Sequence, residues 1–142
     1  MLYAFLALAA RDAMTHPAVT VTPSLSLAEL ERVFEGHTFN SCPVVENGHL
    51  VGIVTKLDFL KAFLFDQGSV APLYEDIVQK SVREVMTHTV ITVKEDQPLL
   101  TILRMMVDLR MKSFPVVNSD GALVGMIARE DIARAVLKSS QG

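Results

Sequence analysis

The segment Gly52-Ile53-Val54-Thr55-Lys56-Leu57-Asp58 sets a hydroxyl where an apolar strand pattern gives way to a helix, and a carboxylate three residues further on. Those residue types at that spacing suit two chemistries. Thr55 as N-cap and Asp58 at the third helical position form a reciprocal capping pair, and an acid in the first turn also favours the helix dipole. The same geometry suits a nucleotide. Unpaired N–H groups at a helix start attract phosphate, a hydroxyl adds a donor, and a carboxylate can accept two hydrogen bonds from a ribose diol. A second copy, Gly125-Met126-Ile127-Ala128-Arg129-Glu130-Asp131, keeps the acid and lacks the hydroxyl. A pure capping role is not expected to require that acid, yet on the residues alone both readings stay open.

Other reactive residues carry less. His16 and His88 both follow a Met-Thr pair, but their spacing suits no metal site, and they read as surface or turn histidines. Cys42 is the single cysteine, so it forms no internal disulfide; with no adjacent base or helix N-terminus it reads as an inert small hydrophobe. Met105, Met106 and Met111 read as adaptable core or interface packing. The charges of residues 56–61 read as a solvated helix face. No Gly-rich phosphate loop, zinc constellation or nucleophile elbow occurs, so an enzyme is not expected.

The elements that must position these residues come in two copies. Arg11-Asp12-Ala13-Met14-Thr15-His16 matches Arg83-Glu84-Val85-Met86-Thr87-His88 at a shift of 72, as Ser41-Cys42-Pro43-Val44-Val45 matches Ser113-Phe114-Pro115-Val116-Val117. One residue is then inserted, and Gly48 to Val54 matches Gly121 to Ile127 with Asp58 on Asp131. The insertion falls between apolar strands at Asn47-Gly48 and Asp120-Gly121, both hairpin signals that tolerate a change of loop length.

Each copy reads strand, helix, strand, strand, helix. In the first these are residues 19–21, a helix capped by Ser26 and Glu29, residues 42–46 and 50–54, and a helix from Lys56 to about Phe65. In the second they are residues 91–93, 99–109, 114–118, 123–127 and 129–137. Strands one and two of a repeat are far enough apart for a crossover helix and parallel pairing. The apolar strand runs read as sheet covered on both faces.

The fold class is therefore α/β (mixed α+β): two β-α-β-β-α repeats packed as a pseudo-two-fold pair. A leading helix is expected over residues 1–10, repeat one over 11–65, a connection over 66–80 with a helical turn at 74–79, and repeat two over 81–142.

Of 142 residues, 50% are hydrophobic and 20% charged, with mean hydropathy +0.35. A net charge of −3 lacks the basic excess that nucleic acid requires. The longest apolar run, residues 1–10, falls well short of the ~20 residues of a spanning helix, and it has no basic region before it to make a signal peptide. A cytoplasmic protein is expected. Residues 1–10 and 59–65 are more apolar than a monomer surface requires and are expected to form a homodimer interface.

Paired units with Met-Thr near the start, a Pro-Val-Val strand, and Gly-hydrophobic-hydrophobic-Thr/Ser-x-x-Asp resemble a tandem of cystathionine-β-synthase (CBS) domains, a Bateman module, over about residues 11–138. The resemblance implies a non-catalytic regulatory module that needs no cofactor. It would bind AMP, ADP, ATP or S-adenosylmethionine in clefts between the repeats, the acid on the ribose hydroxyls and the Thr/Ser on phosphate or ribose. Carried onto this sequence, the better site has Thr55 and Asp58 with Thr92, Arg110 and Lys112. The other has Asp131 with Thr20, Asn40 and Ser41, where Ala128 replaces the hydroxyl and Thr38 stands in place of Arg110. One competent site, at Asp58, is expected. The alternative is a protein-interaction module with vestigial clefts that docks a larger channel, transporter or enzyme as effector partner.

Overall fold

A computed structural model of the chain describes residues 2–64 and 73–141, with Leu2 and Tyr3 as backbone only. In chain order the elements are α1 (Leu2–Leu6), α2 (Ala10–Ala13), α3 (Leu27–Glu35), β1 (Ser41–Glu46), β2 (His49–Thr55) and α4 (Lys56–Lys61). Then follow α5 (Tyr74–Val78), α6 (Val82–Val85), β3 (Val93–Lys94), α7 (Leu99–Leu109), β4 (Ser113–Val117), β5 (Leu123–Ala128) and α8 (Arg129–Gln141). They form two compact units, a central one of Val19–Val90 and a terminal one of Met1–Ala18 with Ile91–Gly142.

In the central unit β1 and β2 pair antiparallel from Ser41 opposite Thr55 to Glu46 opposite His49, with a bulge between Val44 and Val45. Val21 joins them through a parallel bridge to Val44. The Asn47-Gly48 turn has φ of 52° and 79°, the pair of positive values that a type I′ hairpin requires. Helix α3 is capped by the Ser26 hydroxyl, which accepts the Glu29 N–H at 3.2 Å. Its buried stripe of Leu27, Leu30 and Phe34 packs with Cys42, Val44 and Val54. The terminal unit repeats this plan. Strand β3 pairs parallel with β4, β4 pairs antiparallel with β5, and the bulge recurs between Val116 and Val117. Leu99, Ile102 and Met106 of α7 pack with Phe114, Val116 and Ile127, and Met105 and Met111 pack partly buried against that core.

The units are completed by exchange. The segment opening repeat two lies in the central unit: Val82 N–H donates to the Leu25 carbonyl, Arg83 N–H to Pro23, and Thr87 and Ile53 exchange both backbone bonds. The segment opening repeat one makes the same set in the terminal unit, Ala10 to Gln97, Arg11 to Glu95, and Thr15 exchanging bonds with Met126. A Cβ added at Gly52 would lie 2.9 Å from both the Met86 sulfur and the Thr87 carbonyl oxygen; one at Gly125 would lie 2.7 Å from the Thr15 oxygen and 2.8 Å from the Met14 sulfur. Both glycines of the repeated motif are thus where another backbone approaches closely.

Several expectations change. Residues 1–10 are not one helix: the chain breaks at Ala9, which bridges to Pro98, before α2 starts. Phe5 is buried in the terminal core, so it offers no dimer surface. The first strand shrinks to a bridge at Val21 and to the two residues of β3, because α3 and α7 begin soon after each. Helix α4 gives way to turns after Lys61, whereas α8 runs on to Gln141; Phe65 and residues 66–72 of the expected connection lie outside the described residues. Only β1 and β4 bury consecutive residues. Strands β2 and β5 alternate buried with half-buried positions, as antiparallel strands with one face on the core do.

Gly125→Ala should lower unfolding free energy by about 1–3 kcal/mol in urea titration, because the Thr15 backbone must move. Gly36→Ala, at an ordinary φ of −79° and no nearer than 3.5 Å to a neighbour, should instead stabilise by about 0.4–1 kcal/mol. Cys42 is buried, donates its thiol to the Val19 carbonyl at 3.0 Å, and has its pKa pushed up by burial to about 12. Because burial raises that pKa, the thiol stays protonated at pH 8. Iodoacetamide should therefore leave the native protein unmodified and label it in denaturant; rapid native labelling would contradict this.

Candidate ligand site

The end of β2 runs directly into α4, and there Thr55 and Asp58 cap the helix reciprocally. Asp58 N–H donates to the Thr55 hydroxyl at 3.0 Å, and Thr55 N–H donates to Asp58 Oδ2 at 2.9 Å. Asp58 is only 8% exposed, which removes it from the solvated face expected of residues 56–61. A buried carboxylate is costly without partners. Oδ1 takes no hydrogen bond from any described residue, and since no buried side-chain oxygen among them is left without a partner, it is the solvent-reached atom of the carboxylate. The sheet register brings further polar groups to this turn: Ser41 lies opposite Thr55, and the Asn40 carbonyl accepts the Lys56 N–H at 2.9 Å. The Lys56 ammonium rests 5.9 Å from the Phe34 ring centroid, within cation–π reach.

The corresponding turn of the terminal unit is satisfied differently. Asp131, 6% exposed, accepts the Ala128 N–H on Oδ2 at 2.7 Å; its Oδ1 takes Arg134 Nη1 at 3.2 Å and the Thr15 hydroxyl at 3.5 Å. An acid three residues into a helix therefore caps the N-terminal N–H without any hydroxyl at the cap, so the retention of Asp131 beside Ala128 is no argument against a capping role. The Lys112 carbonyl accepts the Arg129 N–H at 2.9 Å, the counterpart of Asn40 and Lys56.

Thr55, Asp58, Thr20, Asn40 and Ser41 thus belong to the central unit, and Thr92, Arg110, Lys112 and Asp131 to the terminal one. Of these, the structure brings together Thr55, Asp58, Asn40 and Ser41, and separately Asp131 and Lys112. Arg110 is exposed and ends α7 in the left-handed region, φ 55°, its N–H on the Met106 carbonyl. A non-glycine residue there carries backbone strain, of the kind that clusters at functional positions. Thr20 is exposed and Thr92 half-buried.

Arg134 and Thr15 are partners of Asp131 that sequence reading missed. The signals were an i,i+3 acid–base pair and the repeated Met-Thr, whose partner strand is distant in sequence. His16 and His88 are exposed, and among the described residues no three His, Cys, Asp or Glu side chains gather as a metal site would require. Among the same residues no helix is long and apolar enough to cross a membrane.

Comparison with known proteins agrees with this architecture. The CBS domain family matches residues 10–65 and again 82–138. An L-aspartate semialdehyde sulfurtransferase of Methanocaldococcus jannaschii is 31% identical over 125 residues, 87% of this chain but 22% of that protein, so the chain spans under a quarter of this relative. Among solved structures, the CBS domain pair of protein MJ0100, in complex with 5′-methylthioadenosine and S-adenosyl-L-methionine, superposes with TM-score 0.75 at 29% identity. The match covers 95% of this chain and 98% of that one. CBSX2, from Arabidopsis thaliana, solved in complex with AMP, gives TM-score 0.78 at 26% identity over 93% and 98% of the two chains. With its two copies of the Gly-to-Asp turn, each on a strand–helix junction of a mixed α/β repeat, this chain belongs to the CBS-domain family as a tandem CBS pair.

Proposed function

We propose that the chain is a non-catalytic regulatory module that binds an adenosyl ligand, AMP, ADP, ATP or S-adenosylmethionine, with Asp58 accepting the ribose hydroxyls. The observation that carries this reading is the half-engaged acid: Asp58 is buried and tethered through Oδ2, while Oδ1 has no partner among the described residues. Thr55 keeps that carboxylate in place and offers its hydroxyl beside it. Thr92, Arg110 and Lys112 complete the proposed set, with the cations on phosphate. Asp131 with Thr20, Asn40 and Ser41 forms no second competent site in this reading, since both Asp131 oxygens are already occupied and Ala128 brings no hydroxyl. The likeness to CBS pairs solved with AMP and with S-adenosylmethionine supports the ligand class. Occupancy would act on a cytoplasmic effector through differential binding to two states.

Thermal-shift measurements test it. AMP, ATP or S-adenosylmethionine at about a hundredfold over its Kd should stabilise the protein by about 2.7 kcal/mol, and Asp58→Ala should remove the shift while Asp131→Ala leaves it. No shift with any adenosyl compound, or an unchanged shift in Asp58→Ala, would overturn the assignment.

A second reading, an assembly module, is favoured by the surface of α4 and the turn after it. Leu57, Leu60 and Leu64 are 60%, 57% and 78% exposed, more apolar surface than a monomer of this size requires. We infer that a second copy covers it in a homodimer. Light scattering should find a dimer that Leu57→Glu with Leu60→Glu converts to a monomer; a monomeric wild-type chain would contradict this.

A further inference from the structure

The terminal unit contains a cavity of about 470 Å³ between α1, α2 and α8, within the size range of small-molecule pockets. Its floor is apolar and made largely of small residues, Ala4, Leu8, Ala13 and Ala135. In the other repeat the positions matching the first three are Asp76, Lys80 and Val85, so this floor is particular to the terminal unit. One wall is a stripe of α8 on which Asp131, Arg134 and Lys138 follow at helical spacing.

The hydrogen bonds show which donors the cavity has to spare. Asp12, also on the wall, is tied to the Ala9 N–H at 2.8 Å through Oδ2 alone, whereas both oxygens of buried Asp131 are occupied, by Ala128, Thr15 and Arg134. Arg134 commits one N–H to Asp131, and Lys138 makes no ion pair or hydrogen bond among the described residues. The donors left in the cavity are therefore Lys138 and the remaining N–H groups of Arg134, beside an apolar floor and across from the Asp12 carboxylate. We propose that it binds a small organic acid, its carboxylate or phosphate head on Lys138 and Arg134 and a compact apolar body against the alanines and Leu8. Asp131 is a positioning residue in this arrangement, holding the guanidinium at the wall.

Amide chemical shifts of the intact labelled protein, titrated with phenylacetate, phenyl phosphate and uncharged benzyl alcohol, test this. Both acids should saturate shifts at Leu8, Asp12, Ala135 and Lys138, and the stronger of the two identifies the head group. Benzyl alcohol should bind at least about tenfold more weakly, as should either acid to Arg134→Gln with Lys138→Gln, since a charged hydrogen bond is worth about that factor. Ala4→Phe should fill the space and abolish binding while leaving the remaining spectrum folded. Asp58→Ala should leave acid binding unchanged, which separates this site from the adenosyl one. Absence of saturable shifts, equal binding of the alcohol, or unchanged binding in the double variant would overturn the proposal.

Discussion

Each unit rests on one close backbone approach, that of a Met-Thr segment to the glycine-bearing strand that runs into the acid turn. Thr87 pairs with Ile53 across Gly52, and Thr15 with Met126 across Gly125. Any Cβ at either glycine would meet a carbonyl oxygen under 3.0 Å away, so only glycine lets the third chain segment lie against β2 or β5. The pairing also holds the strand at the point where its last residues turn into α4 or α8. The position of the acid follows from it. Because the Met-Thr segment of each repeat serves the sheet of the other, neither repeat is complete as a continuous stretch of sequence.

Built on one plan, the two turns end in different electrostatic states. Both acids are buried and both accept the N–H of the residue just before their helix, Thr55 or Ala128. Beyond that bond, Asp131 is neutralised locally by an arginine one turn on, whereas Asp58 has Lys61 at the equivalent position and no ion pair among the described residues. With its arginine side solvent-exposed the pair adds little to stability, so its effect is on what the carboxylate can accept. A carboxylate held through one oxygen with the other open to solvent suits a diol; one saturated by Arg134 serves to place that guanidinium.

Much of this was legible in the residues. The repeat, the hairpin turns, the helix faces, the Thr55–Asp58 pair and the resemblance all follow from local patterns whose physics is local. What was not legible depended on partners far apart in sequence. Nothing near Arg11 or Arg83 signals that their segments hydrogen-bond to Glu95 and Pro23, and the register of Ser41 with Thr55 emerges only when β1 and β2 are paired. Phe5 reads as part of a surface apolar run until α1 is seen to lay it in the terminal core. Asp131 reads as functional surplus until its carboxylate is found on the Ala128 N–H.

The central claim is that Asp58 reads a ribose diol. Calorimetric titration of the intact protein with AMP, ATP and S-adenosylmethionine, each beside its 2′,3′-dideoxy analogue, tests it most directly. The account predicts saturable binding of at least one natural compound and loss of that binding when the two hydroxyls are removed. Equal affinity for the natural and dideoxy forms, or no binding of any of them, would contradict it.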